Sequence, residues 1–387
     1  MEKKKLLYLE SIRGIAAFEV LIFHLFSVLF PGGKVPNLSE GATDELPVRV
    51  LLKIIWLVDV SGTFAVNTFF VLSGFVLSVS YLSRKENVSL VPNAIKRYFR
   101  LMPLVLASTV MASVLISLGW IERPTYSNSI FEAIFEGLFG TFFRGYTNQS
   151  YNAVLWTIQI EFLGSFLVFG LIALIKNSKS RWYLYPILLL AFSNSFYVWF
   201  ILGIAIADLY ANNPKGIMDR IGKINPILKS LAISFPIFLA FYPNNKAYSD
   251  LSYFRYVTIF QNDLNYSRIF LHVISLTLIF LIVLTTPMLQ KVLSIKPLVF
   301  LGATSFSVYV IHFVLVTGLT NDWLERAQKD YSYTIAVSMT ILGMLSMIYI
   351  LGYILHKTVD KYSLTLSERV AKKVMDRPQK AKIGIKQ

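Results

Sequence analysis

Long apolar runs alternate with short polar stretches along almost the whole chain. About ten of these runs read as membrane spans: residues 10–30, 64–82, 101–119, 158–175, 182–193, 197–210, 228–243, 268–286, 299–318 and 333–356. The fifth and sixth are short and separated only by the polar stretch Ser193 to Ser195, so they read as a tight hairpin or as one broken helix. Segment 130–144 is apolar but carries Glu132 and Glu136, a pattern that fits an amphipathic helix lying at the interface. The pattern predicts an all-α integral membrane protein of about ten transmembrane helices.

Composition agrees with that class. The chain has 387 residues, 55% of them hydrophobic and only 15% charged, with a mean hydropathy of +0.58. It has no cysteine, which excludes disulfides, thiolate metal sites and a cysteine nucleophile. The formal charge of +15 is a matter of topology. With the N-terminus in the cytoplasm, 26 of the 37 Lys and Arg residues fall on the inner side, and the outer segments are slightly acidic. Both termini are therefore expected in the cytoplasm and the protein in the inner (cytoplasmic) membrane as a multi-pass protein. Nucleic acid is not expected as a partner. The layout is a transmembrane domain over 1–356 and a basic cytoplasmic tail over 357–387, the tail expected to be solvated. The MEKKK start resembles a signal peptide, but the apolar run behind it is long and charged, so it reads as an uncleaved first span. The outer loops 31–63 and 120–157 are too short for an independent enzyme domain, which leaves the chemistry in or beside the membrane.

The charges inside spans are the candidates for that chemistry, because a charge near mid-membrane costs roughly 3 kcal/mol on insertion scales. The first span carries Arg13, Glu19 and His24. Arg13 and His24 are eleven residues apart, so they lie on one helix face, about 20° apart in azimuth and about 16 Å apart along the axis. Arg97 and Arg100, three apart, share a face at the inner start of the third span and suit the phosphates of a cytosolic cosubstrate; positive-inside anchoring explains them equally. Glu161 near the outer end of the fourth span needs a partner, and a histidine is one option. Ser73-Gly74 permits close helix approach, with a polar role for Ser73 as the lesser reading. Tyr309 and His312 share a face of the ninth span, and Trp156 opens the phrase that ends at Glu161. No metal site is expected, since no two histidines fall three or four apart, and no G-x-S-x-G elbow points to a serine hydrolase.

Taken in order, these phrases resemble the membrane acyltransferases often called acyltransferase family 3. The family's Arg-x10-His pattern appears as Arg13 and His24, its Arg-x-x-Arg pattern as Arg97 and Arg100, its FFxLSGF-like phrase at Phe69 to Phe75, and its Trp-to-Glu phrase as Trp156 to Glu161. Two positions depart from the pattern: Thr157-Ile158-Gln159 stands where Ser-Leu is usual after the Trp, and Phe306 where Tyr is usual. No SGNH-type esterase domain follows the spans, so the resemblance implies that the final transfer occurs on the membrane domain or on a separate protein. It further implies acyl-CoA, usually acetyl-CoA, as cosubstrate and no metal. The implied partners are membrane lipid, a glycan or lipid-linked sugar acceptor, and envelope-polysaccharide assembly enzymes. Arg13, Arg97 and Arg100 would bind the cosubstrate, His24 would act as general base, and Glu161 would stabilise its imidazolium. Two readings from other classes remain beside it: a transporter or flippase using the intramembrane charges as a relay, and a non-catalytic assembly protein.

Overall fold

The computed structural model describes residues 6–31, 46–83, 89–121, 128–144, 150–242 and 264–375, with the backbone alone for 46–61 and 264. The Lys3–Lys5 run, Arg84, Lys85 and tail residues 376–387 lie outside them. The described residues contain no strand.

The chain begins with α1 (Leu7–Leu29), α2 (Leu46–Leu82) and α3 (Val91–Ser117). A short α4 (Ile130–Phe135) runs directly into a π-helical stretch, Glu136–Arg144. Then come α5 (Trp156–Ile175), α6 (Arg181–Ala191), α7 (Tyr197–Asn212) and three short pieces, α8 (Ile217–Gly222), α9 (Pro226–Ala232) and α10 (Ser234–Ala240). The last third holds α11 (Leu264–Thr285), α12 (Pro287–Leu293), α13 (Lys296–Gln328), α14 (Tyr333–Leu355) and α15 (Lys361–Met375).

Every expected span falls on a helix, but only seven of the described helices are long and apolar enough to cross a membrane. The fifth and sixth expected spans are α6 and α7, of 11 and 16 residues. The seventh falls on α9 and α10, within Pro226–Ala240, which a bend of 96° separates from Pro214–Gly222. The break has local causes. The first piece ends at Gly222, and the next begins with Asn225, which caps it by accepting from Ile227 N, and Pro226; the positive φ of Asn213, Lys215 and Gly216 (40°, 54° and 67°) turns the chain earlier, between α7 and α8. Lys229 fastens the bend by donating to the carbonyls of Ile221 (3.2 Å) and Thr285 (2.7 Å).

One further expectation is corrected. The tail is not simply solvated: its residues 361–375 form α15, which packs on α3 through Ser363, Ser367 and Ala371. His272 is fully buried against Phe64 and Trp199 and bonded to Asn67. Segment 130–144 packs one face on α3 and exposes Phe131, Phe135, Phe139 and Phe143 on the other.

Two glycine crossings set the arrangement of the long helices. A Cβ on Gly14 of α1 would lie 2.3 Å from the Gly302 nitrogen of α13, and a Cβ on Gly302 would lie 2.3 Å from the Glu10 oxygen. Gly74 of α2 and Gly203 of α7 form the second crossing, each Cβ position 2.3 Å from a facing backbone oxygen. Within a membrane, helix association rests on such close backbone packing rather than on expulsion of water. One apolar cluster gathers α1, α3, α13 and α14, and another gathers α2, α5, α7 and α11. Gly302→Ala is expected to cost about 1–3 kcal/mol, the usual range for overpacking, read as a lower Tm in detergent. Gly170→Ala, with nothing within 4 Å of the added carbon, is expected to leave Tm essentially unchanged. Equal shifts in the two variants would contradict the crossing.

Candidate active site

The Gly14–Gly302 crossing brings Arg13 onto α13. Its Nε donates to Ser305 Oγ (3.0 Å) and its Nη2 to the Gly302 carbonyl (3.1 Å). α3 contributes the other two guanidiniums. Arg97 donates through Nε to Ser165 Oγ (2.8 Å) and through Nη2 to Glu161 Oε1. Arg100 Nη1 donates to Asp360 Oδ1 (2.5 Å) and Ser363 Oγ (2.7 Å) at the start of α15, with its guanidinium over the Phe306 ring. Asp360 also bonds His356 (2.8 Å). Each guanidinium has five N–H groups in a planar fork, and these bonds use only some of them.

All three arginines line one cavity of about 540 Å³. Glu10, Ser73, Glu161 and Ser305 add polar groups to its wall, while Leu6, Val76, Leu77 and Ile158 are among its apolar lining. At the far end stand Phe69, Thr157 and Tyr309. Thr157 gives its hydroxyl proton to the Val154 carbonyl (2.8 Å) and so accepts from the Tyr309 hydroxyl (2.8 Å). The departure from the family's Ser at this position thus keeps a hydroxyl.

One helical turn beyond Tyr309 lies His312, fully buried. Its Nδ1 is 2.6 Å from the Tyr309 carbonyl, and its Nε2 is 3.1 Å from Nδ1 of His24. His24 Nδ1 is also 2.9 Å from the Val20 carbonyl, and Phe23 and Phe313 flank the half-buried His24 ring edge-on. His24 does not line the arginine cavity; Tyr309 and His312 stand between the two.

The structure therefore brings Arg13, Arg97, Arg100, Ser73, Glu161 and Tyr309 to one cavity and pairs His24 with His312. It does not form the expected His24–Glu161 pair. Glu161 is held by Arg97 and by Ser73 Oγ (2.6 Å), because α2, α3 and α5 meet at that level. Ser73 is a hydrogen-bond donor there rather than mere packing. Trp156 packs on Phe196 outside the cavity. Among the described residues no group of three or more His, Asp or Glu is placed to hold a metal ion.

Sequence reading missed Thr157, Ser108 and Asn152. Asn152 Nδ2 donates to the Val310 carbonyl and to Ser108 Oγ (both 2.7 Å), and Ser108 Oγ donates to the same carbonyl (2.6 Å). Together they clamp α13 beside Tyr309. The legible signal was Asn152 as a cap of the turn before α5, which its acceptance from Val154 N confirms; its bonds to α13 leave no local trace.

A family model described as an acyltransferase domain matches residues 6–357. No curated protein and no solved structure matches the chain. The matched stretch contains every residue of the arginine cavity and of the histidine pair, and the chain belongs to this family, acyltransferase family 3, as a multi-pass membrane acyltransferase.

Proposed function

We propose that this acyltransferase moves an acyl group, with acetyl as the simplest cargo, from cytosolic acyl-CoA to a hydroxyl of an extracytoplasmic or lipid-linked glycan. The observation that carries this reading is the convergence of three arginines from α1 and α3 on one cavity that ends a single turn short of a histidine pair. Acyl-CoA joins an anionic, multiply phosphorylated head to a long, weakly polar arm. Guanidinium forks match the phosphates, and their charge in a low-dielectric setting strengthens the contact. The apolar wall beyond them suits the pantetheine arm. The inner-side placement of Arg97 and Arg100 by the charge map puts the mouth toward the cytosol.

Chemistry follows from the half-buried His24. Its Nε2 takes the proton of the acceptor hydroxyl as the oxygen attacks the thioester carbon. The C–O bond forms, the C–S bond breaks, and the CoA thiolate leaves with the proton returned from the imidazolium. The Phe69 and Tyr309 rings, 5.5 Å apart in the cavity wall, stand on the His24 side, and the thioester meets His24 after one of them has turned.

Two outcomes test this. His24→Ala should lower kcat about 100-fold or more, the contribution of a general base, while acyl-CoA binding by the purified protein stays intact; wild-type transfer by this variant would remove His24 from the chemistry. Arg13→Gln removes the guanidinium while keeping a side-chain amide that can still donate to the Ser305 hydroxyl and the Gly302 carbonyl. It should raise KM for acyl-CoA about tenfold, or about 1.4 kcal/mol, yet leave KM for an acyl-pantetheine without the phosphates unchanged. An equal rise with both donors would contradict phosphate binding.

A further inference from the structure

We infer that His312 is the positioning residue of the reaction: beside the Val20 carbonyl it accepts from His24 Nδ1–H, leaving Nε2 as the basic nitrogen, and it holds the imidazolium once Nε2 takes a proton, so that it stands in the place expected for Glu161. This rests on the reading of His24 as the base, and it says which atom does the work and what sets it.

The inference follows from counting protons. A backbone carbonyl only accepts, so the 2.6 Å contact of His312 Nδ1 with the Tyr309 carbonyl places a hydrogen on that nitrogen. A neutral imidazole has one N–H, which leaves His312 Nε2 with a lone pair. That lone pair lies 3.1 Å from His24 Nδ1. The Val20 carbonyl, 2.9 Å from the same His24 nitrogen, is a second acceptor. Two acceptors on one nitrogen require that it carry the hydrogen, shared between them. His24 Nε2 is then the free base, as the tautomer assigned by these bonds.

The arrangement parallels a catalytic triad, with a neutral ring in the place of its carboxylate. When His24 takes a proton on Nε2, its Nδ1–H becomes a charge-assisted donor to His312. A neutral acceptor meets this need without placing a second full charge in the membrane, where an unpaired one is costly. Full burial of His312 and the Asn152–Ser108 clamp on the adjacent Val310 carbonyl keep its ring fixed. Glu161, engaged by Arg97 and Ser73, is not needed for it.

The test compares His312→Gln and His312→Leu in purified protein of matched Tm. A glutamine side-chain oxygen can accept from His24 Nδ1–H; leucine cannot. His312→Leu should lower kcat about 100-fold with KM for acyl-CoA unchanged, since the Val20 carbonyl still holds the tautomer but the imidazolium loses the ring that accepts its Nδ1–H and fixes its direction. His312→Gln should recover kcat to within about tenfold of wild type. In a His24→Ala background, His312→Leu should add no further loss. Wild-type kcat in His312→Leu, or equal losses in the Leu and Gln variants, would overturn the inference while leaving His24 as base. Wild-type kcat in His24→Ala would instead overturn the underlying reading. Should leucine prevent folding, 15N-histidine NMR of the wild-type protein decides: His24 must show a protonated Nδ1, a bare Nε2 and a nitrogen–nitrogen coupling across the hydrogen bond to His312 Nε2, and absence of that coupling or the reverse tautomer would overturn the inference.

Discussion

The contact on which the site depends is the crossing of α1 and α13 at Gly14 and Gly302. No side chain larger than hydrogen fits at either position without parting the helices. From that point the two helices run in register: His24 lies ten residues beyond Gly14, and His312 ten residues beyond Gly302, so both rise about 15 Å and meet. Arg13 reaches the Gly302 carbonyl at the lower end of the same interface. One close approach therefore places a guanidinium and a histidine pair along a single seam.

Charge in the membrane is managed by pairing. Arg97 is matched with Glu161, and Arg100 with Asp360, each pair part-buried and extended by a serine hydroxyl. Removing one partner of such a pair is costly because the other is left uncompensated, whereas the spare N–H groups of each fork remain for an incoming phosphate. Arg13 bonds to neutral acceptors and has the Glu10 carboxylate in its electrostatic surroundings. The docking of α15 on α3 makes the end of the chain part of this balance, since Asp360 and Ser363 hold Arg100.

Much of this was legible in the order of residues. Spans of high hydropathy coincide with helices throughout, because in a bilayer the backbone must satisfy itself. The 11-residue length of α6 and the bend between Gly222 and Pro226 are not legible: apolar content alone does not report where a helix ends or how sharply the chain turns. α15 was under-read because its small-residue face against α3 has no hydropathy signal. Arg13, Arg97, Arg100 and His24 stood out as charged or titratable groups in apolar surroundings, and the structure does gather the arginines. Partner identity was not legible. Glu161 lies 64 residues from Arg97, and His24 lies 288 from His312; only the crossing geometry selects those pairs, which is why the carboxylate was matched to the wrong ring. Thr157 and Asn152 read as ordinary helix-start residues, and their bonds across to α13 depend on packing alone.

The most direct measurement is a cryo-EM structure of the protein in lipid nanodiscs with a non-hydrolysable thioether analogue of acyl-CoA. The predicted result has the analogue's phosphates against Arg13, Arg97 and Arg100, its arm along the cavity wall, the Tyr309 or Phe69 ring turned aside, and the sulfur-bearing end facing His24 Nε2. Density for the analogue at any other surface of the protein, with the arginine cavity and the Tyr309 ring unchanged, would contradict it.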